Sequence, residues 1–122
     1  MSLQNREALH TRDQLMAQRA YSLLSKVAEK DENIQKEYRS FAMSFPALIH
    51  TCGLAQAAAF AYSKKEWDFI GHLAEVLDEE RDLKTFLDII QKAPLQKYLR
   101  LNNNALLAAG WLKRYSAAML KS

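Results

Sequence analysis

Apolar residues recur along this chain at steps of three and four, and the period predicts one helix after another. Met16, Ala20, Leu23 and Val27 form a seam, widened by Ala17, Tyr21 and Leu24, in a first helix expected from Leu3 to Lys30. The run Lys30-Asp31-Glu32-Asn33 breaks that pattern, and Asp31 or Asn33 can cap the next helix. Ile34, Tyr38, Phe41 and Phe45 then predict a short amphipathic helix leading to Pro46. Beyond the middle of the chain, Ser63-Lys64-Lys65-Glu66 has the spacing of a capping box, and Trp67, Ile70, Ala74 and Leu77 make the apolar stripe of a fourth helix. Leu83, Phe86, Leu87 and Ile90 predict a fifth, ending at Ala93 before Pro94. A short helical turn (Leu95, Tyr98, Leu99) precedes Asn102-Asn103-Asn104, the expected start of a last helix that presents Leu107, Trp111, Tyr115 and Ala118.

The pattern centres on residues 45–62, FPALIHTCGLAQAAAFAY. From Ser40 through Ser63 there is no Asp, Glu, Lys or Arg, although charged residues make up 25% of the chain. Such a run is either a helix covered by other helices or a membrane span. Its length would suit a span, for which about 17–25 apolar residues suffice. His50, Thr51 and Gln56 in mid-segment, the Ala-rich composition, and cations at both ends (Arg39; Lys64, Lys65) favour a buried central helix. Pro46 is expected in its first turn, where a missing N–H costs nothing, with Ser44 as the cap. Ile49, Gly53, Gln56 and Phe60 would share one face. Gly53, at a cost of roughly 1 kcal/mol in helix propensity, would admit a neighbouring backbone, and Gln56 would hydrogen-bond within the bundle.

Composition agrees with the pattern. The 122 residues include only 3 Gly and 2 Pro, with no strand-like alternation and no Asn-Gly or Asp-Gly turn. The expectation is an all-α fold, a compact bundle of five to six helices around residues 45–62, with residues 1–122 as a single helical domain. The only cysteine, Cys52, lies in the apolar run, so no intramolecular disulfide can form. With no hydrophobic signal core at the N-terminus, a cytoplasmic location is expected.

Net charge is +3, and its distribution says more than its size. Residues 64–88 hold four basic and eight acidic groups. From Ile89 to Ser122 there are six cations (Lys92, Lys97, Arg100, Lys113, Arg114, Lys121) and no carboxylate side chain. A one-signed segment creates a field suited to phosphate or to an acidic partner surface, or it simply keeps a face solvated. On the first helix Arg12, Arg19 and Lys26 recur every seven residues, drifting only about 20° per step. They either snorkel along the seam or reach phosphate.

Sequence motifs for catalysis or metal binding are lacking. His50 and Cys52 lie two residues apart, roughly 200° around a helix, and cannot share one ion. His50 is expected as a buried structural histidine. The chain has no Gly-rich phosphate loop and no nucleophile elbow. No cofactor, no metal site and no enzyme activity are therefore expected. On the last helix Arg114 stands three residues from Trp111 and shares its face, which points to an intramolecular role: stacking on an aromatic ring or answering the acidic end of the fourth helix. Lys113 lies about 200° from Trp111 and points to solvent.

Several stretches together resemble a known family. Pro46-Ala47-Leu48-Ile49, Gly53-Leu54-Ala55-Gln56-Ala57, Tyr98-Leu99-Arg100-Leu101 and Trp111-Leu112-Lys113-Arg114-Tyr115 look like the small α-helical subunit of the type III-B CRISPR ribonucleoprotein, the Cmr complex. Arg12 in a long first helix and Tyr38-Arg39 fit as well, and the resemblance spans nearly the whole chain. Asn102-Asn103-Asn104 departs from the Thr-led start expected before the last helix, but Asn caps equally well.

The resemblance implies a non-catalytic antiviral role. Such subunits stack as a minor filament beside the guide-binding backbone subunits and help hold target RNA to the guide, while cleavage belongs to backbone subunits and other activities to the large signature subunit. Arg100 and Lys113 lie within matched motifs. Lys97, Lys92, Lys121, Arg12, Arg19 and Lys26 join them as RNA-binding candidates on electrostatic grounds alone, and Gly53, Gln56, Trp111 and Arg114 as structural ones. Expected partners are guide and target RNA and the other Cmr subunits, without membrane. The alternative is a helical adaptor that self-associates head to tail, its acidic residues 75–82 meeting the basic C-terminal third.

Overall fold

A computed structural model of the protein describes residues 10–122, which form six helices and, among the described residues, no strand. They are α1 (Arg12–Val27), α2 (Glu32–Cys52), α3 (Leu54–Ser63), α4 (Trp67–Leu77), α5 (Leu83–Lys92) and α6 (Leu95–Met119). The all-α bundle expected from the pattern is what the chain forms.

Helix α1 starts later than the apolar pattern implied. Thr11 has extended backbone angles, its Oγ1 accepts from the Gln14 N–H, and Gln14 Oε1 accepts from the Thr11 N–H, a reciprocal capping box. The proposed start at Leu3 lies outside the described residues. The predicted seam does face the core, with Met16, Ala20, Leu23, Leu24 and Val27 all buried. Gln35 then fixes the turn into α2. It is buried, its Nε2 donates to the carbonyls of Ala28 and Lys30, and its Oε1 accepts from the Lys121 N–H beyond α6.

The uncharged run is not one central helix. Pro46 sits inside α2 rather than opening a helix, and Ser44 donates to the Phe41 carbonyl instead of capping. A proline there forgoes one backbone bond at a cost of about 3 kcal/mol. Unbroken helix through position 46 keeps Phe45 and Ile49 in register with Tyr38 and Ala42, and all four are buried. Burying a large apolar side chain contributes about 1.5–3 kcal/mol, so Ile49, the buried side chain beyond position 46, offsets much of the proline's cost.

The break comes at Gly53 instead, with φ +83° and ψ 162°. The face expected to unite Ile49, Gly53, Gln56 and Phe60 therefore does not exist. Gln56 is exposed rather than bonded within the bundle, and His50 and Cys52 are exposed rather than buried. The run is divided between the end of α2, a helix of 21 residues, and α3, one of ten, and no helix among the described residues is long and apolar enough to cross a membrane.

The capping box predicted at Ser63–Glu66 does not form, because Ser63 donates to the Phe60 carbonyl and Glu66 caps α4 without a side-chain bond. Helix α3 ends in a Schellman motif instead. Glu66 N–H reaches Ala61 O, Lys65 N–H reaches Tyr62 O, and Lys65 takes φ +60°. On α4, Ile70 and Ala74 are buried as expected, together with Phe69, Leu73 and Val76, while Trp67 is left 49% exposed. Phe69 meets Phe45 edge to face at 4.9 Å and Phe41 at 5.2 Å, joining α4 to α2.

Helix α5 forms as predicted. Asp82 caps it by accepting from the Thr85 N–H, Phe86 and Ile90 are buried, and Ala93 and Pro94 end it. The separate turn at Leu95 and the helix start at Asn102–Asn104 are absent, since α6 runs unbroken through both. Its buried stripe is Leu101, Ala105, Ala108, Ala109, Leu112 and Ser116. Trp111 and Tyr115 sit half-buried at the stripe's edge, and Leu107 is exposed. Helix α6 packs most extensively on α2, then on α1.

Candidate nucleic-acid and subunit interface

The joint between α2 and α3 is the first place where α6 does more than pack. Breaking a helix leaves amide hydrogens without partners. Here α6 supplies the acceptors: Asn102 Oδ1 takes the Leu54 N–H at 2.8 Å, and the Tyr98 hydroxyl takes the Ala55 N–H at 3.0 Å. Tyr98 and the Gly53-Leu54-Ala55 stretch, both in the motifs that carry the family resemblance, are thus one structural unit. The Asn run promised a cap, and Asn102 is one, for a helix remote in sequence.

The seam between α1 and α6 uses the cations differently from one another. Trp111 Nε1 donates to Asp13 Oδ1 at 2.8 Å, the Trp111 and Tyr115 rings stack at 5.7 Å, and Tyr21 meets Tyr115 edge-on at 5.5 Å. Arg114 lies over the Trp111 ring, 5.7 Å from its centroid, which is the stacking alternative read from their spacing. It is exposed and does not answer the acidic end of α4. That end is met by Arg19, which donates to the Val76 carbonyl at 3.1 Å, and by Arg81, 3.5 Å from Asp78 and 4.0 Å from Glu75. Arg12 donates to Asn104 Oδ1 at 3.1 Å. The regular stripe Arg12–Arg19–Lys26 is therefore split in use: two guanidinium groups tie α1 to its neighbours, while Lys26 is exposed.

The basic C-terminal third is nearly all surface. Lys97, Arg100, Lys113 and Lys121 are exposed and make no ion pair among the described residues. Lys92 pairs with Asp88 at 3.0 Å, both side chains mostly exposed, a contact worth at most about 1 kcal/mol in water. Arg100, Leu107 and Arg114 recur at seven-residue steps and form one outward stripe of α6, roughly 21 Å long. Lys113 lies further round the helix, and with Arg114, Met43, Pro46 and Ala117 it lines a shallow groove of about 340 Å³. The structure brings Lys97, Arg100 and Arg114 to one broad surface and sets Lys113 beside it.

A partly buried polar pair escaped the sequence reading. Tyr38 OH and His72 Nδ1 are 2.8 Å apart beneath α4. Burial, then the nearby Asp68 and Glu66 charges, pushes the Tyr38 hydroxyl up, and burial pulls His72 down, so the hydroxyl keeps its proton and donates a hydrogen bond to the neutral ring. Among the described residues no three His, Cys, Asp or Glu side chains converge as metal ligands.

Comparison with known proteins places this architecture. Residues 12–119 match the family model described as CRISPR-associated protein (Cas_Cmr5). The CRISPR system Cmr subunit Cmr5 of Thermus thermophilus is 37% identical over 116 residues, covering 93% of this chain and 99% of that one. A crystal structure of a CRISPR-associated Cmr5 family protein from Thermus thermophilus superposes with a TM-score of 0.84 at 37% identity, covering 92% of this chain and 100% of its own. Sequence and fold thus match one family along almost the whole chain, which belongs to the Cmr5 family, the small helical subunits of the type III-B CRISPR Cmr complex.

Proposed function

We propose that this Cmr5 subunit is non-catalytic and steadies guide and target RNA within the complex by touching the phosphate backbone. The observation that carries the reading is the surface of α6: exposed cations in a segment from Ile89 to Ser122 that holds no acidic side chain. Cations spread along about 21 Å of helix suit the repeated charge of a nucleic-acid backbone. Contacts of this kind release counterions and fix position without reading bases, so guide–target pairing would supply the specificity. Of the eight cations named from the sequence, Lys97, Arg100, Lys113, Lys121 and Lys26 keep their heads in water and suit this role best. Lys92 retains a weak intrahelical pair, and Arg12 and Arg19 are the least suited because their guanidinium groups are engaged within the fold. Arg114, exposed above Trp111, joins the candidates.

The alternative adaptor needs an acidic surface to meet those cations in a neighbouring copy. The residues at 75–82 are a poorer fit for it than their composition implies, because Arg81 lies among them and pairs with Glu75 and Asp78. The test is Arg100→Glu combined with Lys113→Glu in the assembled complex. Weaker RNA binding, with the salt slope shallower by roughly two units for two lost phosphate contacts, is expected. Unchanged RNA affinity with failed stacking would favour the adaptor, and wild-type behaviour in both assays would remove these residues from either role.

A further inference from the structure

Gly110 sits in the interior of α6, where glycine weakens a helix relative to alanine. Unlike Gly53, it has no positive φ that would call for glycine. A Cβ added at Gly110 would meet no atom within 4 Å, so packing inside the chain does not demand glycine either. The missing side chain leaves room that only a molecule outside the chain can use.

That room opens onto the groove between α2 and α6. The two helices run antiparallel: Gln35 near the start of α2 accepts from the Lys121 N–H, and Asn102 early in α6 accepts from the Leu54 N–H just past α2. Between these ends Met43 and Pro46 face Gly110 and Ala117 across about 340 Å³. Lys113 and Arg114, three and four residues beyond Gly110, stand on either side of the line from Gly110 to Ala117. Both are exposed, and among the described residues they are the only charged ones lining this groove. On the other flank of Gly110 the adjoining groove holds one carboxylate, Asp13, which is occupied by the Trp111 Nε1–H at 2.8 Å. Arg39, one turn before Met43 on the same face of α2, has a buried Nε without a hydrogen-bond partner among the described residues.

Two cations, an apolar wall and a floor without a side chain suit a polymer that carries its negative charge in its own backbone. A carboxylate on a flexible protein side chain could meet Lys113 and Arg114 from solvent without entering the groove. A phosphodiester lying between them brings its sugar against the helix and so uses the space at Gly110. Arg114 also belongs to the outward stripe with Arg100, which makes the groove continuous with the cationic surface of α6. Resting on the RNA reading of that surface, we propose that the α2–α6 groove seats one ribose–phosphate unit of the RNA backbone, with the phosphate between Lys113 and Arg114 and the ribose over Gly110 against Met43 and Pro46. Such a contact fixes position and carries no base information.

Gly110→Gln and Gly110→Ala in the assembled complex, titrated with RNA complementary to its guide, test the assignment. Glutamine is a neutral helix former that fills the floor without removing a cation. Gly110→Gln should weaken RNA binding several-fold, Gly110→Ala less, both with an unchanged salt slope and a melting temperature equal to wild type or higher. Undiminished affinity in Gly110→Gln would overturn the seat. If Arg100→Glu with Lys113→Glu still weakened binding, the cations of α6 would keep their role without it, and if neither did, both readings would fall. Failure of Gly110→Gln to enter the complex would make the groove a protein interface, and a lowered melting temperature in both variants would mean that packing requires the glycine; either result overturns the proposal.

Discussion

The side-chain oxygen of Asn102 on α6 accepts the backbone N–H of Leu54, which lies 48 residues earlier and is fully buried. A helix of ten residues is thereby capped from outside its own segment. Asn102→Ala should leave that amide without a partner and cost about 1–2 kcal/mol in urea denaturation. Asn102→Asp, which keeps the acceptor and faces the positive end of α3, should stay within about 0.5 kcal/mol of wild type. Tyr98→Phe should cost about 1 kcal/mol, and the two losses should not add, since both groups serve one helix end.

Two positions with positive φ should respond oppositely to substitution. Gly53→Ala would force a side chain into a backbone conformation that only glycine adopts readily, with its Cβ 3.1 Å from the Tyr98 hydroxyl. A loss of about 1–3 kcal/mol is expected. At Lys65, φ +60°, glycine is the residue the Schellman motif prefers, and Lys65→Gly should raise stability by about 0.5–1 kcal/mol. Melting temperatures moving in the same direction would contradict this account.

The Tyr38–His72 pair predicts a pH dependence. Burial lowers the His72 pKa in the folded state, with Lys30 and Lys26 acting in the same sense and Asp68 and Glu75 opposing it. The unfolded chain then binds its proton first as pH falls. Stability from this pair is complete above the ordinary histidine value of about 6.5 and declines as pH drops from there toward the folded value. His72→Gln should flatten the stability curve between pH 7 and pH 5. An equally steep decline in that variant would assign the proton to another group.

Arg114 and Lys113 are adjacent in sequence and unequal in surroundings. Arg114→Ala should cost about 0.5–1 kcal/mol through the lost stacking on Trp111, and that cost should vanish in a Trp111→Leu background. Lys113→Ala should fall within about 0.5 kcal/mol of wild type. Thermal melts of the four variants would suffice to compare them.

How far the candidate surface could be read in advance depended on the range of the interactions involved. Lys97, Arg100 and Lys113 were legible because a run of cations without carboxylates can be counted along the chain, and for Lys113 helical spacing from Trp111 adds the outward direction. Arg12 and Arg19 share a stripe with Lys26, yet their roles depend on Asn104 and Val76, which only packing brings near. Gln35 gave no signal at all: its three bonds join α1, its own helix and the chain beyond α6.

By itself the sequence determined the helical class, the buried seam of α1, the limits of α5 and the one-signed C-terminal third, since each comes from local periodicity or from charge counted along the chain. Tertiary structure decided where the uncharged run would bend. Local preference favours a break at Pro46, but continuing the helix buries Ile49 in register with Tyr38, Ala42 and Phe45 and so offsets the missing hydrogen bond. Gly53 takes the break because its backbone tolerates positive φ and because Asn102 and Tyr98 wait across the interface to satisfy the amides it frees. No window of sequence around Gly53 contains either residue, so that decision belongs to the folded bundle.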